Sequence, residues 1–292
     1  MSKILHIVPG TDDVANGMVV VAILLAKEQG DAEVVDLNAG LNAVEKGDAE
    51  EVWVHGMWLP KEWMTCRRAL KAGKRLVRMT HGSLSPVYLK HQSPFKKRLV
   101  SPIERYLLRK ADKVIATCEA EADWICAYEP RIKSIEVTNL KRFFNLTNLN
   151  PVNPVNPVKK DLHLLYLGRN HPLKGLEYLE TAVRQIQEST CSTCSTRLID
   201  FRIVSNAFGD ELEKVWDWCD VLILPTLSDN FGLVIAEALE RGKRVITTDG
   251  APAWGDGNTY GGRLTYLRGY RDGTSEERIQ LLKSAIEKLC HS

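Results

Sequence analysis

Two acidic residues, Asp229 and Glu237, flank a predicted helix start and are the first candidates for chemistry in this chain. The apolar run 221–224, stopped by Pro225, predicts a buried strand, and the apolar spacing that follows predicts a helix. The first amides of such a helix, at 231–233, have no intrahelical partners and carry the positive end of the helix dipole. They suit a phosphate or a ring of sugar hydroxyls, and carboxylates can accept hydrogen bonds from paired hydroxyls of a sugar or ribose. The alternative is an ordinary strand and helix with solvated acids.

Two cations occupy the corresponding turn of an earlier strand and helix. Arg169 lies just beyond the predicted strand 162–167, and Lys174 lies at the predicted start of the next helix. Ligands of parallel sheets bind beyond the carboxyl ends of the strands, so a diphosphate could lie against these two side chains. The alternative is that both residues form ion pairs at the surface.

Two histidines fall at the ends of neighbouring predicted strands in the first half of the chain. His55 ends the predicted strand 51–55, and His81 is followed by Gly82 in a polar turn. Imidazole can donate a hydrogen bond to, or accept one from, a sugar hydroxyl or a phosphate oxygen. We predict a ligand-binding role for His81, with a structural histidine that caps the turn as the alternative. For His55 we predict the structural role, with ligand binding as the alternative.

Several motifs resemble the retaining GT-B glycosyltransferases of the group 1 class, whose signature is an acidic residue, seven others and a glutamate. That family more often has Glu at the first position, where this chain has the shorter Asp229. The matching elements are, in chain order, Asn16-Gly17, His81-Gly82, the stretch 111–121, Gly168-Arg169 with Lys174-Gly175, and Asp229-Asn230-Phe231-Gly232 leading to Glu237.

The resemblance implies a role for each matched residue. Arg169 and Lys174 would bind the donor diphosphate together with the helix amides, and Glu237 would hold the ribose. Asp229 and His81 would contact the donor hexose, and Gly17 would approach the phosphate and the acceptor. The implied catalytic residues are Arg169, Lys174, Asp229 and His81. The implied donor-binding residues are Gly17, Arg169, Lys174, Asn230, Phe231, Gly232, Leu233 and Glu237. Two cations and a helix end could stabilise the leaving group without a metal, and no dedicated protein base is implied.

The predicted fold class is α/β, with two Rossmann-like parallel-sheet domains. Short apolar strands alternate with helices, which indicates parallel sheets with right-handed crossovers. The GT-B resemblance implies that the two domains face a central cleft. A Pro-Val-Asn repeat within 147–160 predicts an extended, semi-rigid linker. We therefore predict an acceptor domain at 1–146 and a nucleotide-sugar donor domain at 161–292.

Composition excludes several other classes of protein. The 292 residues suffice for two domains, and 44% hydrophobic with 26% charged residues is typical of a soluble globular protein. A net charge of +2 gives no reason to expect nucleic acid as a partner. No apolar run approaches the roughly 18 residues of a membrane span, and the N-terminus lacks the apolar core of a signal peptide, so we expect a cytoplasmic protein.

Cysteine and glycine patterns argue against two further kinds of site. Seven cysteines, an odd number, fit free thiols better than a disulfide framework. The CxxC motif at 191–194 has no second ligand pair, so it predicts no metal site. The loop after the first predicted strand does not satisfy GxGxxG, which argues against a dinucleotide-dependent oxidoreductase.

A strongly basic segment at 90–110 contrasts with the nearly neutral chain. It holds seven Lys and Arg residues against the single acid Glu104, with apolar residues interleaved at near-helical spacing. Such a pattern is typical of a basic amphipathic helix, which an anionic membrane surface would attract. The inner face of the cell membrane is therefore a candidate location. The alternative is a solvated helix packed on its own domain.

The resemblance to group 1 GT-B enzymes implies a retaining hexosyltransferase. Its donor would be a nucleoside-diphosphate sugar, UDP- or GDP-linked, and its acceptor a glycan or a lipid-linked glycan of lipopolysaccharide, capsule or other glycoconjugate assembly. One alternative is a GT-B sugar-nucleotide epimerase or hydrolase, which would need no acceptor. Another is a non-catalytic module that binds sugar nucleotides. The joint presence of Arg169, Lys174 and Glu237 favours catalysis.

Overall fold

The computed structural model describes residues 3–10, 17–94, 96–146, 161–190, 198–205 and 207–290. The chain divides into two compact units, Met1–Leu140 and Lys141–Ser292. The predicted linker at 147–160 and the CxxC motif at 191–194 lie outside the described residues. The predicted domain bounds therefore remain predictions. The cysteines that the structure describes are free thiols.

The first unit is built on a six-stranded parallel sheet with strand order β2-β1-β3-β4-β5-β6. Its strands are β1 (Ile4–Val8), β2 (Ala32–Asp36), β3 (Glu51–His55), β4 (Arg75–Met79), β5 (Lys113–Ala116) and β6 (Ile135–Val137). Its α-helices are α1 (Gly17–Gln29), α2 (Leu37–Lys46), α3 (Pro60–Lys71), α4 (Pro86–His91), α5 (Ser101–Lys110) and α6 (Glu119–Tyr128).

The second unit is built on a five-stranded parallel sheet with strand order β11-β10-β9-β7-β8. Its strands are β7 (Asp161–Leu167), β8 (Leu198–Val204), β9 (Val221–Leu224), β10 (Arg244–Thr248) and β11 (Leu264–Leu267). Its α-helices are α7 (Leu176–Thr190), α8 (Gly209–Trp218), α9 (Leu233–Glu240) and α10 (Ser275–Cys290).

The strands read as apolar runs because both faces of each sheet are covered. Successive side chains of a strand point to opposite faces, and in β1 both Ile7 and Val8 are fully buried. Ile7 belongs to the core cluster that contains residues of α2 and α3, whereas Val8 packs with Val19 and Ala22 of α1. The prediction of two α/β units of Rossmann type with parallel sheets is confirmed.

Each sheet reverses its winding direction once, and ligands of such sheets bind at that switch point, beyond the carboxyl ends of the strands. In the first sheet the switch lies between β1 and β3, and in the second it lies between β7 and β9. The loops that carry His81, Arg169, Lys174 and Asp229 all follow strands at or next to these switch points.

The basic segment 90–110 is not one helix, which corrects the prediction. The helix α4 ends at His91, a π-helical turn covers Lys96–Val100, and α5 begins at Ser101. The helical geometry is interrupted at Gln92 and Ser93, and Pro94 begins the next helical stretch, because the residue before a proline disfavours helical geometry. Glu104, the only acid of the segment, is fully buried. Its carboxylate accepts hydrogen bonds from other residues of the first unit.

Other differences concern the ends and the number of elements. The sequence patterns predicted neither the helices α2 and α3 nor the edge strands β6 and β11, of which the two strands are only three and four residues long. Thr274 caps the start of α10, which begins at Ser275. The Thr274 hydroxyl accepts a hydrogen bond from the Glu277 amide, and the Thr274 amide donates to the Glu277 carboxylate at 2.7 Å.

Candidate functional site

The loops after β7, β9 and β10 are tied together at the carboxyl edge of the second sheet. The Leu227 amide and the Thr226 hydroxyl both donate to the carbonyl of Leu173, at 2.8 and 3.1 Å. The Asp229 amide donates to the carbonyl of Gly250 at 2.8 Å. These bonds run between neighbouring loops, so the backbone around Asp229 is held from both sides.

Glycine is required where the first two of these loops meet. Gly175 has φ +65°, and a Cβ atom there would lie 2.1 Å from the carbonyl oxygen of Pro225. Any side chain would therefore separate the loop after β7 from the loop after β9. Gly175 directly follows Lys174, so this contact also places the lysine.

Lys174 and Asp229, predicted as separate donor contacts, form an ion pair with each other. The Lys174 Nζ donates to Asp229 Oδ2, and both side chains are 20% exposed. Arg169 lies on the same loop as Lys174 and is exposed. The hydroxyl of Tyr166 donates to the carbonyl oxygen of Arg169 at 2.9 Å, which anchors the backbone of that loop. Burial, and then the charge of Asp229, raise the pKa of Tyr166 to about 12, so the hydroxyl keeps its proton.

The start of α9 presents free backbone donors next to this pair. Gly232 is the N-cap residue of the helix and adopts left-handed geometry with φ 67°. Within the described part of the chain, the amides of Phe231, Gly232 and Leu233 donate no hydrogen bond. The Phe231 ring is buried against Trp254, whose indole nitrogen donates to the Phe231 carbonyl oxygen. The loop is thus packed against Trp254, and no described residue accepts a hydrogen bond from these three amides.

Two further predicted donor-binding residues lie on the same loop and helix. Asn230 is half-buried between Asp229 and Phe231. Glu237 is half-buried on α9, and burial raises the pKa of its carboxyl group, with the charge of Arg241 opposing that rise. No described residue donates a hydrogen bond to the Glu237 carboxylate. A carboxylate that is desolvated yet unpaired in this way suits hydrogen-bond donors from a ligand.

His81 lies directly after β4 in the first unit and has φ 50°, an uncommon left-handed geometry for a residue other than glycine. The carboxylate of Glu121 holds the turn, because it accepts hydrogen bonds from the Thr80 hydroxyl at 2.7 Å and the Gly82 amide at 2.6 Å. Its other oxygen accepts from the Thr117 amide at 2.8 Å.

Buried histidines stand behind His81. The Nε2 atom of His81 lies 2.8 Å from Nδ1 of His55, and Nε2 of His55 lies 2.9 Å from Nδ1 of His6. Nε2 of His6 lies 2.7 Å from Oε1 of Gln29, the last residue of α1. His6 and His55 are fully buried. Burial lowers the pKa of His6 and of His81 to about 4, and it lowers the pKa of His55 well below the ordinary value.

The structure thus places the predicted site residues in two groups. Arg169, Lys174, Asp229, Asn230, Phe231, Gly232, Leu233 and Glu237 lie on the loops and helix at the switch point of the second unit. His81 lies beside the switch point of the first unit. Gly17 is the first residue of α1, and its neighbour Asn16 lies outside the described residues.

Sequence reasoning missed three residues that support His81. His6 and Gln29 complete the chain of hydrogen bonds behind it, and Glu121 holds its turn. A histidine inside an otherwise apolar strand was the available signal for His6, because a buried imidazole requires a polar partner. Among the described residues, no group of three or more His, Cys, Asp or Glu side chains is arranged to hold a metal ion.

Comparison with known protein families finds one match. Residues 11–139 match the model of the glycosyl transferase 4-like domain. The matched region contains α1, the strands β2 to β6 and the His81 turn. It spans most of the first unit and none of the second. No curated protein sequence matches the chain.

Solved structures similar to this chain cover nearly all of it. Sucrose-phosphate synthase from Thermosynechococcus elongatus has a TM-score of 0.65 at 15% identity, with 99% of this chain and 90% of that one covered. A UDP-forming α,α-trehalose-phosphate synthase from Burkholderia xenovorans, in complex with glucose-6-phosphate, has a TM-score of 0.65 at 11% identity, with coverage of 99% and 92%. A trehalose-6-phosphate synthase, OtsA, has a TM-score of 0.59 at 12% identity, with coverage of 99% and 96%. The chain therefore has the GT-B fold of these glycosyltransferases, and most of its first unit is similar to the glycosyl transferase 4-like domain.

Proposed function

We propose that the protein is a retaining glycosyltransferase that moves a hexose from a nucleoside-diphosphate sugar to a glycan or lipid-linked acceptor. The observation that carries this proposal is the contact between Lys174 and Asp229. It brings a cation suited to the diphosphate and an acid suited to the hexose hydroxyls to one point of the switch region. The GT-B fold and the family match of residues 11–139 support the same reaction class.

The proposed donor site uses the remaining groups of the second unit. Arg169, Lys174 and the amides of residues 231–233 would receive the two phosphates, and Glu237 would accept hydrogen bonds from the ribose hydroxyls. In the reaction, the bond between the anomeric carbon and the diphosphate oxygen breaks, and the acceptor oxygen bonds to that carbon. The acceptor proton passes to the leaving diphosphate. Because the cations and amides face the oxygen on which charge develops, they stabilise the transition state more than the bound donor.

The donor also includes a nucleotide base, whose identity is the next point to test. Three similar structures are described as UDP-forming synthases, which supports UDP-sugars as the first donors to test and GDP-sugars as the second. We propose that the transfer is independent of metal ions, because the two cations and the helix amides already neutralise the diphosphate. Equal turnover with and without EDTA supports this, and restoration of lost turnover by Mg²⁺ or Mn²⁺ contradicts it.

We further propose that the first unit contacts anionic membrane lipid through the surface around α5. Leu99, Ile103 and Tyr106 are exposed apolar side chains, at 55%, 37% and 46%, and Arg98 beside them is also exposed. Exposed apolar groups rimmed by cations are typical of proteins that bind the lipid interface, where a lipid-linked acceptor would be found. Among the described residues, no helix is both long and apolar enough to cross a membrane.

A thermal-shift screen across nucleotide-sugars tests the donor site first. A ligand present at 100 times its Kd adds about 2.7 kcal/mol to the free energy of unfolding, which is easily measured. The identified donor is then incubated with and without glycan acceptors, and the products are separated. Acceptor-dependent transfer supports the proposal. Release of free sugar without an acceptor indicates a hydrolase, an epimerised nucleotide-sugar indicates an epimerase, and binding without any product indicates a binding module.

A further inference from the structure

The three histidines behind the switch point of the first unit form an uninterrupted hydrogen-bonded chain that ends at His81. It starts at Gln29 on α1, passes through His6 of β1 and His55 of β3, and reaches the turn after β4. The chain crosses three neighbouring strands of the sheet. The glycosyltransferase reaction proposed above makes no use of its inner members.

All three rings are neutral near pH 7, because the buried environment disfavours the charged form. A neutral imidazole has one N–H donor and one nitrogen acceptor. Each of the two ring-to-ring contacts needs one donor and one acceptor. The rings must therefore all carry the proton on Nε2, or all carry it on Nδ1.

Gln29 decides between these two arrangements. Its Oε1 atom faces Nε2 of His6 and can only accept, so His6 must donate from Nε2. His6 then accepts at Nδ1 from Nε2 of His55, and His55 accepts at Nδ1 from Nε2 of His81. The Nδ1 atom of His81 is left as an acceptor, and no described residue donates to it.

We propose that Gln29, His6 and His55 are positioning residues that fix His81 as a hydrogen-bond acceptor at Nδ1. In this form His81 receives a hydrogen bond from a sugar hydroxyl but has no Nδ1 proton to give to a phosphate oxygen. His81 therefore selects the hydroxyl-bearing part of a ligand rather than its phosphates. The identity of that ligand rests on the proposed function, whereas the state of the rings does not.

Long-range ¹⁵N–¹H correlation spectra of the full chain, labelled at histidine and free of ligand, test the ring states directly at pH 7.5. The expected result is a protonated Nε2 and a bare Nδ1 in His6, His55 and His81. Single His→Gln variants assign the signals, and His91→Gln, at an exposed position, serves as the control. Protonated Nδ1 in these rings, or charged rings at this pH, overturns the proposal.

Gln29→Leu tests whether Gln29 sets the proton positions of the three histidine rings. Without the anchoring acceptor both proton arrangements become available, so His81 should show a mixture of the two neutral forms. The fraction of His81 in the acceptor form, read from the same spectra, should fall to between roughly a half and a tenth of the total.

The outcomes separate this inference from the proposed function. Unchanged His81 signals in folded Gln29→Leu protein overturn the role of Gln29. If the rings carry the proton on Nδ1 and the protein still binds and transfers sugar, the positioning role of Gln29, His6 and His55 is wrong, whereas the proposed glycosyltransferase activity is supported. If the rings carry the proton on Nε2 but the protein binds no nucleotide-sugar, the positioning role is supported and the proposed glycosyltransferase activity is wrong.

Discussion

The ammonium group of Lys174 and the carboxylate of Asp229 contact each other across the switch point of the second sheet. They come from the loops after β7 and β9, which are adjacent strands in the sheet but are separated in sequence by β8 and two helices. Because the two charged groups touch and each side chain is only a fifth exposed, we expect a ligand that binds one of them to lie beside the other.

The first prediction concerns the two cations. Arg169→Ala and Lys174→Ala should each lower the turnover number roughly 10²-fold or more, since each removes a charge-assisted contact to the leaving diphosphate. Steady-state kinetics with the donor found in the thermal-shift screen measure this. Lys243→Ala is the matched control, because Lys243 lies at the opposite, amino end of β10. Normal turnover in both site variants would exclude these residues from the donor site.

The second prediction separates the two acids. Glu237→Ala should weaken binding of both the nucleoside diphosphate and the whole donor, because the ribose is common to both. Asp229→Ala should weaken only the donor, since the diphosphate bonds to Lys174 and the amides. A lost hydrogen bond to a carboxylate costs about 1.5–3 kcal/mol, so each affected Kd should rise roughly 10- to 150-fold in calorimetry.

Asp229→Glu is the sharper variant, because it changes only the reach of the acid. The longer side chain would move the carboxylate relative to Lys174 and to the proposed position of the hexose. Activity should fall or the preferred sugar should change, while diphosphate affinity stays constant. Equal weakening of diphosphate binding by Asp229→Ala and Glu237→Ala would show that the acids do not divide the donor in this way.

The third prediction is a pH dependence that arises from Glu237. Burial raises its pKa above the ordinary 4.5, so the folded protein keeps this proton to a higher pH than the unfolded chain does. Ribose hydroxyls donate best to the ionised form. Donor affinity should therefore be full above the raised pKa and decline as the pH falls through it. Calorimetry with a nucleotide-sugar across pH 4.5–8 measures the effect, and Glu237→Gln should remove the pH dependence.

The fourth prediction concerns the membrane surface. Reversal of Lys96, Lys97 and Arg98 to Glu should weaken binding to anionic liposomes by roughly 100-fold or more, at about 1 kcal/mol per basic residue. Sedimentation with liposomes that contain phosphatidylglycerol measures it. The control reverses three exposed basic residues of the second unit, Arg184, Lys214 and Lys288. If the control variant loses as much binding, or the parent protein binds no liposomes, this surface is an ordinary solvated one.

The fifth prediction tests the contact between the loops. Gly175→Ala should lower the free energy of unfolding by roughly 3 kcal/mol or more, since it adds a clash with the Pro225 carbonyl to the strain of a positive φ. Gly73→Ala is the control, because Gly73 has nearly the same φ, +67°, and nothing within 4 Å of the added carbon. That variant should lose only about 1 kcal/mol in denaturant unfolding. If both variants lose the same free energy of unfolding, the loop around Gly175 can move to relieve the clash, and the contact does not require glycine.

The sequence alone determined the strands and most of the helices that carry the site. Apolar runs closed by Pro or Gly predicted β1, β3, β9 and β10, since burial on both faces of a parallel sheet selects such runs. Because ligands bind at the carboxyl ends of parallel strands, the positions of Arg169, Lys174, Asp229 and His81 after strands could also be predicted. The prediction of a continuous helix at 90–110 was wrong, because it relied on the helical spacing of apolar residues and neglected Pro94.

Only the tertiary structure decided which of these side chains touch. Local spacing carries no information on contacts between residues that are distant in sequence, such as Lys174 with Asp229 or His6 with His55. Strand order sets these contacts, and that order follows from how the whole core packs. The neutral state of His6 and His55 is also decided by the tertiary structure. It depends on their burial in the folded first unit and not on their neighbours in the sequence.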